Sequence, residues 1–288
     1  FWHRCLCDLR MCRRIRTRHC QAFWPMTAKV KFDFLMKAAL SCILLNVNYM
    51  SSKMNELYKK KMLLNAEKCF GELLIRRSSK LKELSQLKNH DLNPLLDIHK
   101  AVYAYGADSH VNLARALIMP SIIGTGLNTS FGNIIQKDYL LKFDNVKASG
   151  VSGLDIEFHH ATDNLDIYCQ LKAGVNTINA DDVKPILNKF NKAINLIRTN
   201  GGPAIPQEQV IVGVFSGKYE NRNGHYKKIE NSNHPVLVGK DFWEAITGEE
   251  SFYDDLAITL QDYQRKHSNH TSEIEDAVKL LANELAKV

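Results

Sequence analysis

The sequence predicts an α/β protein: a small mixed β-sheet flanked by helices and preceded by a helical region. Three stretches carry that expectation. Residues 54–87 contain no proline and place Leu57, Leu64, Phe70, Leu74, Leu81 and Leu84 among lysines and glutamates, the composition of an amphipathic helix. Residues 152–174, SGLDIEFHHATDNLDIYCQLKAG, alternate twice between apolar and polar side chains, as the two strands of a hairpin do. Residues 180–198 then repeat apolar positions at helical spacing, and 209–215, QVIVGVF, run almost unbroken through apolar residues. Such a run suits a strand covered on both faces. A helix and a buried strand after a hairpin together give a small mixed sheet.

Taken from its start, the chain has 288 residues, 45% of them hydrophobic, enough for a core in one or two domains. Its formal net charge is +7, but residues 1–49 supply all of it, with Arg and Lys outnumbering Asp8 and Asp33. The remainder is balanced, so the global charge does not argue for nucleic acid, and any DNA surface must come from local clustering. The same leader holds Cys5, Cys7, Cys12, Cys20 and Cys42, at spacings that match no paired-ligand zinc pattern. The chain begins with Phe, and Met26, Met36, Met50 and Met54 follow. Residues 1–49 are therefore expected to be a leader of non-native or upstream origin, with the native protein starting near Met50. The apolar run 34–47 is too short to span a membrane and lacks a clear cleavage site, so secretion is not expected. Beyond it only Cys69 and Cys169 remain, which implies no disulfide framework and suits a reducing cytoplasm. The expected division is leader 1–49, helical region 50–143 and sheet-bearing core 144–288.

After the first helix, residues 95–105 read as a short helix and 108–119 as another, stopped by Pro120. The glycine-rich stretch 124–132 lacks the Lys-Ser/Thr ending of a phosphate loop. It reads as a turn capped at Thr129 or Ser130, leading into a helix over 133–143. The helix over 180–198 has Asn179 as cap, Asp181 and Asp182 at its positive end, and Val183, Leu187, Phe190, Ile194 and Ile197 as its buried stripe. Residues 216–234, SGKYENRNGHYKKIENSNH, read as a polar loop. Residues 236–239 form a short strand, and Asp241 caps a helix carrying Phe242 and Trp243. Two helices finish the chain: 252–266, and one opened by Ser272 and Glu275 in a capping-box pattern.

The hairpin concentrates the chemistry. With Asp163 and Asn164 at the centre of a two-residue turn, Asp155 faces Lys172 and Glu157 faces Gln170, all on one side of the ribbon. Carboxylates joined by an amide oxygen can hold a hard divalent cation such as Mg²⁺. A nearby lysine can orient the water that attacks a phosphodiester in line.

These residues resemble the PD-(D/E)xK nuclease signature, a metal-binding Asp on one strand and an acid–any–Lys triplet on the next. Asp155 fits the Asp, and Gln170-Leu171-Lys172 fits the triplet. More closely, DIEF…QLKAG…NTIN, then IVGVF and GKDFW, resembles type II restriction endonucleases that cut interrupted GGNCC-like (RGGNCCY) sites. The resemblance implies a restriction-endonuclease-like mixed sheet. The activity it implies is Mg²⁺-dependent cleavage of both strands of double-stranded DNA at a short palindromic site. The implied setting is a homodimer in a bacterial restriction–modification system, with a cognate DNA methyltransferase, in the cytoplasm and away from membranes. Asp155 would be the principal metal ligand, Gln170 would add its side-chain oxygen and Leu171 its backbone carbonyl, and Lys172 would position water. Leu154 stands where the motif often has Pro, and Gln170 where an acid is usual. Glu157, opposite Gln170 in the expected register, would supply the missing carboxylate. Asp138 is the acid on the helix expected to lean over the metal. Lys218, Tyr219, Asn221, Arg222, Asn223 and Lys227 are the candidate DNA contacts, because Arg and Lys read guanine and Asn reads adenine; Asn176, just past the second strand, joins them. A nuclease of the same fold without site preference, and a DNA-binding protein weakened in cleavage by Gln170, are the alternatives.

Overall fold

The computed structural model describes residues 54–107, 109–267 and 270–287; the expected leader lies outside them. Helix α1 (Glu56–Leu84) opens on Asn55, whose side chain accepts from the Tyr58 N–H. It buries Met62, Ala66, Cys69, Phe70 and Leu73 along one stripe. Each large side chain among these contributes about 1.5–3 kcal/mol by leaving water.

Helices α2 (Asp97–Tyr105), α3 (His110–Ile123) and α4 (Thr125–Ile134) follow. Helix α3 runs through Pro120 instead of stopping there. A proline there removes one backbone donor and crowds the carbonyl four residues earlier, but two carbonyls of that last turn, those of Ser121 and Ile122, accept from the Arg77 guanidinium. The glycine-rich stretch is likewise helix, with no cap at Thr129 or Ser130. The Ser130 hydroxyl donates to the Gly126 carbonyl within α4, 2.8 Å away. Glycine at 126 serves the tight α3–α4 corner, since a Cβ there would lie 2.5 Å from the Ser121 carbonyl oxygen. A π-helical turn, Ile135–Tyr139, and a 3₁₀ turn, Leu140–Lys142, complete the approach to the sheet.

Five strands stand in chain order: β1 (Val146–Ala148), β2 (Ile156–His159), β3 (Asp166–Lys172), β4 (Val210–Val214) and β5 (Val236–Val238). Strands β1, β2 and β3 are antiparallel neighbours, while β3, β4 and β5 are parallel. Helix α5 (Ala180–Thr199) connects β3 to β4, opened by a capping box between Asn179 and Asp182. Helix α6 (Gly224–Glu230), capped by Asn223, connects β4 to β5. It occupies the stretch expected to be a polar loop. Strand β1, three residues with one buried, is too short to announce itself in the sequence.

The β2–β3 register differs from the expected one by two residues. Ile156 pairs with Cys169 and Glu157 with Tyr168. In place of a two-residue turn, residues 160–165 form a wider loop closed by the His160 N–H on the Leu165 carbonyl, 2.8 Å. Asn164 takes the left-handed conformation there, with φ 55°. An even slip leaves every side chain on its expected face.

One face of the sheet packs Ile156, Phe158, Ile167, Cys169, Leu171 and Ile211 against α1, the π-turn, α7 (Lys240–Thr247) and α8 (Phe252–His267). The other packs the valines of β4 and β5 against Ile186, Phe190 and Ala193 of α5 and Tyr226 and Ile229 of α6. A third cluster joins the end of α1 to α3 and α9 (Thr271–Leu285). Helix α7 starts at Gly239, where φ is 52° and a Cβ would meet the Gly217 carbonyl oxygen, so Asp241 lies within the first turn and is not the cap. Helix α9 starts from His270 without a side-chain cap. Glu275, expected in a capping box, instead pairs with Arg115 at 2.5 Å. Among the described residues no helix is long and apolar enough to cross a membrane.

Candidate active site

Asp155 stands immediately before β2, and β3 ends in Gln170-Leu171-Lys172. Continuing the register places Asp155 beside Gln170. The Asp155 N–H donates to the Cys169 carbonyl at 2.9 Å, which ties the two strand ends together. Its carboxylate is held from two sides. Oδ2 accepts from the Leu171 N–H at 2.6 Å, and Oδ1 accepts from Gln136 Nε2 at 2.7 Å. Gln136 lies on the π-turn, a feature often found at functional sites. Its contribution was not legible in the sequence, where it is one polar residue in a mixed stretch.

Asp138 does not take the place expected for it. It points to Arg76, 3.9 Å away. Residues two apart on a helix lie roughly 200° apart around its axis, so the turn that aims Gln136 at Asp155 aims Asp138 elsewhere.

Glu157 is also displaced from its expected partner, because the register sets it opposite Tyr168 and not Gln170. Its Oε1 accepts from Ser149 Oγ at 2.9 Å and the Gly150 N–H at 3.1 Å. Its Oε2 pairs with Lys147 at 3.0 Å. The contact raises the Lys147 pKa, and the Glu157 charge adds to burial in raising that of Tyr168. Lys147, Glu157 and Tyr168 line a cavity of about 240 Å³ over the antiparallel half of the sheet.

Gln170 is only 8% exposed, yet its Oε1 is buried without a hydrogen-bond partner. Orphaned acceptors of that kind are rare and costly. Among the described residues no three His, Cys, Asp or Glu side chains gather where they could hold a metal. The oxygen donors at the strand ends are the Asp155 carboxylate, whose oxygens keep unused lone pairs, and Gln170 Oε1. This set fits a hard cation that completes its shell with water and a substrate phosphate. Lys172 is half-buried, and among the described residues no carboxylate lies within ion-pair distance of its ammonium. Burial and, secondarily, the Asp155 charge push the neighbouring Cys169 thiol up, which leaves it inert.

An aspartate, a glutamine and a lysine thus stand at the ends of two adjacent strands. Over residues 66–269 the sequence matches the family model of the type II restriction endonuclease EcoO109I. The chain belongs to that family. The match runs from the middle of α1 to the end of α8 and takes in the entire sheet. Type II restriction endonucleases are DNA-cleaving hydrolases with site specificity, typically metal-dependent, and EcoO109I recognises RGGNCCY. No curated protein matches the chain.

The expected DNA contacts divide into two groups in this endonuclease. Arg222 stacks over Tyr219, 3.5 Å from the ring centre, and its Nε and Nη2 donate to Glu230 Oε2 at 3.0 and 2.9 Å. The Tyr219 hydroxyl donates to the other Glu230 oxygen. Asn223 caps α6 and donates to the Ile178 carbonyl at 2.8 Å. The Tyr226 hydroxyl donates to the Gly174 carbonyl at 2.9 Å. These bonds lock α6 onto the loop that follows β3. Lys218, Asn221, Lys227 and Asn176 are exposed.

Proposed function

We propose that this protein cleaves both strands of double-stranded DNA at a short palindromic site of the RGGNCCY kind, with Mg²⁺ as cofactor. The observation that carries this reading is the convergence of Asp155, Gln170 and Lys172 at one end of the β2–β3 pair. Bound at Asp155 and Gln170, Mg²⁺ would supply Lewis-acid stabilisation of the charge developing on the scissile phosphate. Asp155, held by Gln136 and Leu171, presents its oxygens in one orientation. The Leu171 carbonyl adds a further oxygen, and Lys172 Nζ donates to the attacking water and directs it at phosphorus. Glu157 stays outside the ligand set and, with Lys147 and Ser149, fixes the β1–β2 edge. Lys218, Asn221, Lys227 and Asn176 meet the DNA, while Tyr219, Arg222 and Asn223 hold them in place.

A palindromic site calls for two copies related by a two-fold axis, and α2 with the turn before it offers a surface for that pairing. Leu95 and Tyr103 are 91% and 88% exposed, with Ile98 and Val102 beside them, a concentration of apolar surface typical of interfaces. The setting is a cytoplasmic restriction–modification system in which a cognate methyltransferase protects host DNA.

The test is digestion of unmethylated DNA containing RGGNCCY sites by the full chain in Mg²⁺, beside Lys172→Ala. Discrete fragments lost in the variant are the expected result. A smear would indicate a nuclease without site preference. Site-specific binding with intact DNA in both Mg²⁺ and Mn²⁺ would indicate a DNA-binding protein that no longer cuts.

A further inference from the structure

Beyond residue 49 the chain carries no net charge, so a stripe of one sign on its folded surface is not the by-product of a general excess. Its other long helices mix the signs. Helix α1 pairs Arg76 with Glu72 and Lys80 with Glu83, α8 pairs Arg265 with Asp262, and α9 pairs Lys279 with Asp276. Helix α5 departs from this. From Val183 to Thr199 it carries Lys184, Lys189, Lys192 and Arg198, all exposed, and no acid. Among the described residues no carboxylate lies within ion-pair distance of any of the four. Arg198 suits the negative end of the helix dipole. The three lysines have no such use. At 100° per residue they fall within about 140° of the helix surface, away from the buried Ile186, Phe190 and Ala193.

One of the three lies against the segment that leads into the candidate site. Gly153, two residues before Asp155, has φ 95°, and a Cβ there would stand 3.1 Å from Lys189 Cβ and Cγ and 3.3 Å from its Cδ. The Lys189 stem therefore lies across the loop that delivers Asp155. Leu154, the residue between, is buried in one cluster with Ile186, Phe190 and Ala193 of the same helix. Helix α5 also packs on α6, whose Lys227 stands among the DNA contacts above. We propose that the outer face of α5, with Lys184, Lys189 and Lys192 as its phosphate contacts, carries the backbone of the DNA past Asp155. This inference rests on the nuclease reading above. Unpaired ammonium groups on a helix face bind phosphates as point charges and release the counterions condensed on the duplex. Contacts of this kind hold the DNA in place without reading its sequence.

The experiment uses the full chain and Lys184→Gln, Lys189→Gln and Lys192→Gln, singly and combined. Lys279→Gln on α9 is the control that removes the same charge elsewhere. Fluorescence anisotropy in EDTA measures binding to an RGGNCCY duplex and to a duplex without the site, between about 50 and 200 mM salt. Each α5 variant is expected to lower the salt slope by about 1, and the triple variant by about 3, equally on both duplexes. Lys279→Gln is expected to leave the slope unchanged, and thermal melts check that each variant is folded. The proposal is overturned if the triple variant keeps the wild-type slope, or if Lys279→Gln lowers it as much as Lys189→Gln does. A loss confined to the RGGNCCY duplex would mean base reading and would overturn it equally. Digestion in Mg²⁺ separates the two readings. Site-specific cutting with a slope unmoved by the triple variant would sink the α5 track and keep the nuclease. The expected loss of slope in a protein that does not cut would keep the track and sink the nuclease.

Discussion

Gln136 Nε2 lies 2.7 Å from Asp155 Oδ1, a hydrogen bond between the π-turn and the residue immediately before β2. With the Leu171 N–H on Oδ2, it leaves the carboxylate one orientation. Gln136→Ala is expected to cost about 0.5–1.5 kcal/mol of stability, the net worth of a neutral hydrogen bond. Cleavage is expected to fall about tenfold through loss of alignment, and the Mg²⁺ midpoint to rise. Duplex binding in EDTA is expected to stay unchanged, because Gln136 carries no charge. Cleavage and the Mg²⁺ midpoint both at wild-type values would show that the bond is structural only.

Lys172→Met is expected to lower cleavage by about 10²-fold or more, the usual scale for a positioned proton-transfer or water-orienting group. No loss of Tm should accompany it, since Lys172 has no ion-pair partner among the described residues. Lys172→Arg is not expected to rescue, because a planar guanidinium cannot reproduce a compact ammonium. Single-turnover rates beside thermal melts check both statements.

The hairpin was legible because alternation at Leu154–Phe158 and Leu165–Leu171 specifies faces, and faces survive any even slip. The register was not, because the loop over 160–165 is closed by bonds from His160 that no turn dipeptide announces. The β4 strand and α5 were plain in their apolar patterns and the Asn179 cap. The helix over 125–134 was hidden by its glycines, of which Gly126 serves a close approach at Ser121. At the site, Asp155 and Lys172 stood out as motif positions. Gln136 did not, since its partner lies 19 residues away in sequence. Arg222 and Asn223 looked like base readers, yet their partners Glu230 and Ile178 become visible only in three dimensions.

Arg222→Ala should therefore behave as a stability variant. The guanidinium is 12% exposed and Glu230 is 20% exposed, so truncation strands a largely buried carboxylate. A loss of about 1.5–3 kcal/mol is expected, the scale of hydrogen bonds to charged groups, measured by urea unfolding. Lys218→Ala and Lys227→Ala should leave that curve unchanged and each reduce the salt slope of DNA binding by about 1. A salt slope unmoved by either lysine would place the DNA on another surface.

The loop that sets the register also carries a pH dependence. His159 Nδ1 lies 3.1 Å from Asp166 Oδ1, and its Nε2 lies 2.9 Å from Asn164 Oδ1. Both partners accept, and only the doubly protonated imidazole can donate to both. The bond to Asn164 first, and then that to Asp166, raise the His159 pKa above 6.5. A raised folded-state pKa adds stability that is fully present below the unfolded value and is lost as pH rises through the folded one. His159→Ala is thus expected to melt below the wild type at about pH 5.5, with the gap closing toward about pH 8.5. The ring is nearly half exposed, so the effect is screened and the gap small. A gap that instead widens with rising pH would mean that the neutral ring, and not the imidazolium, holds Asn164 in its left-handed turn.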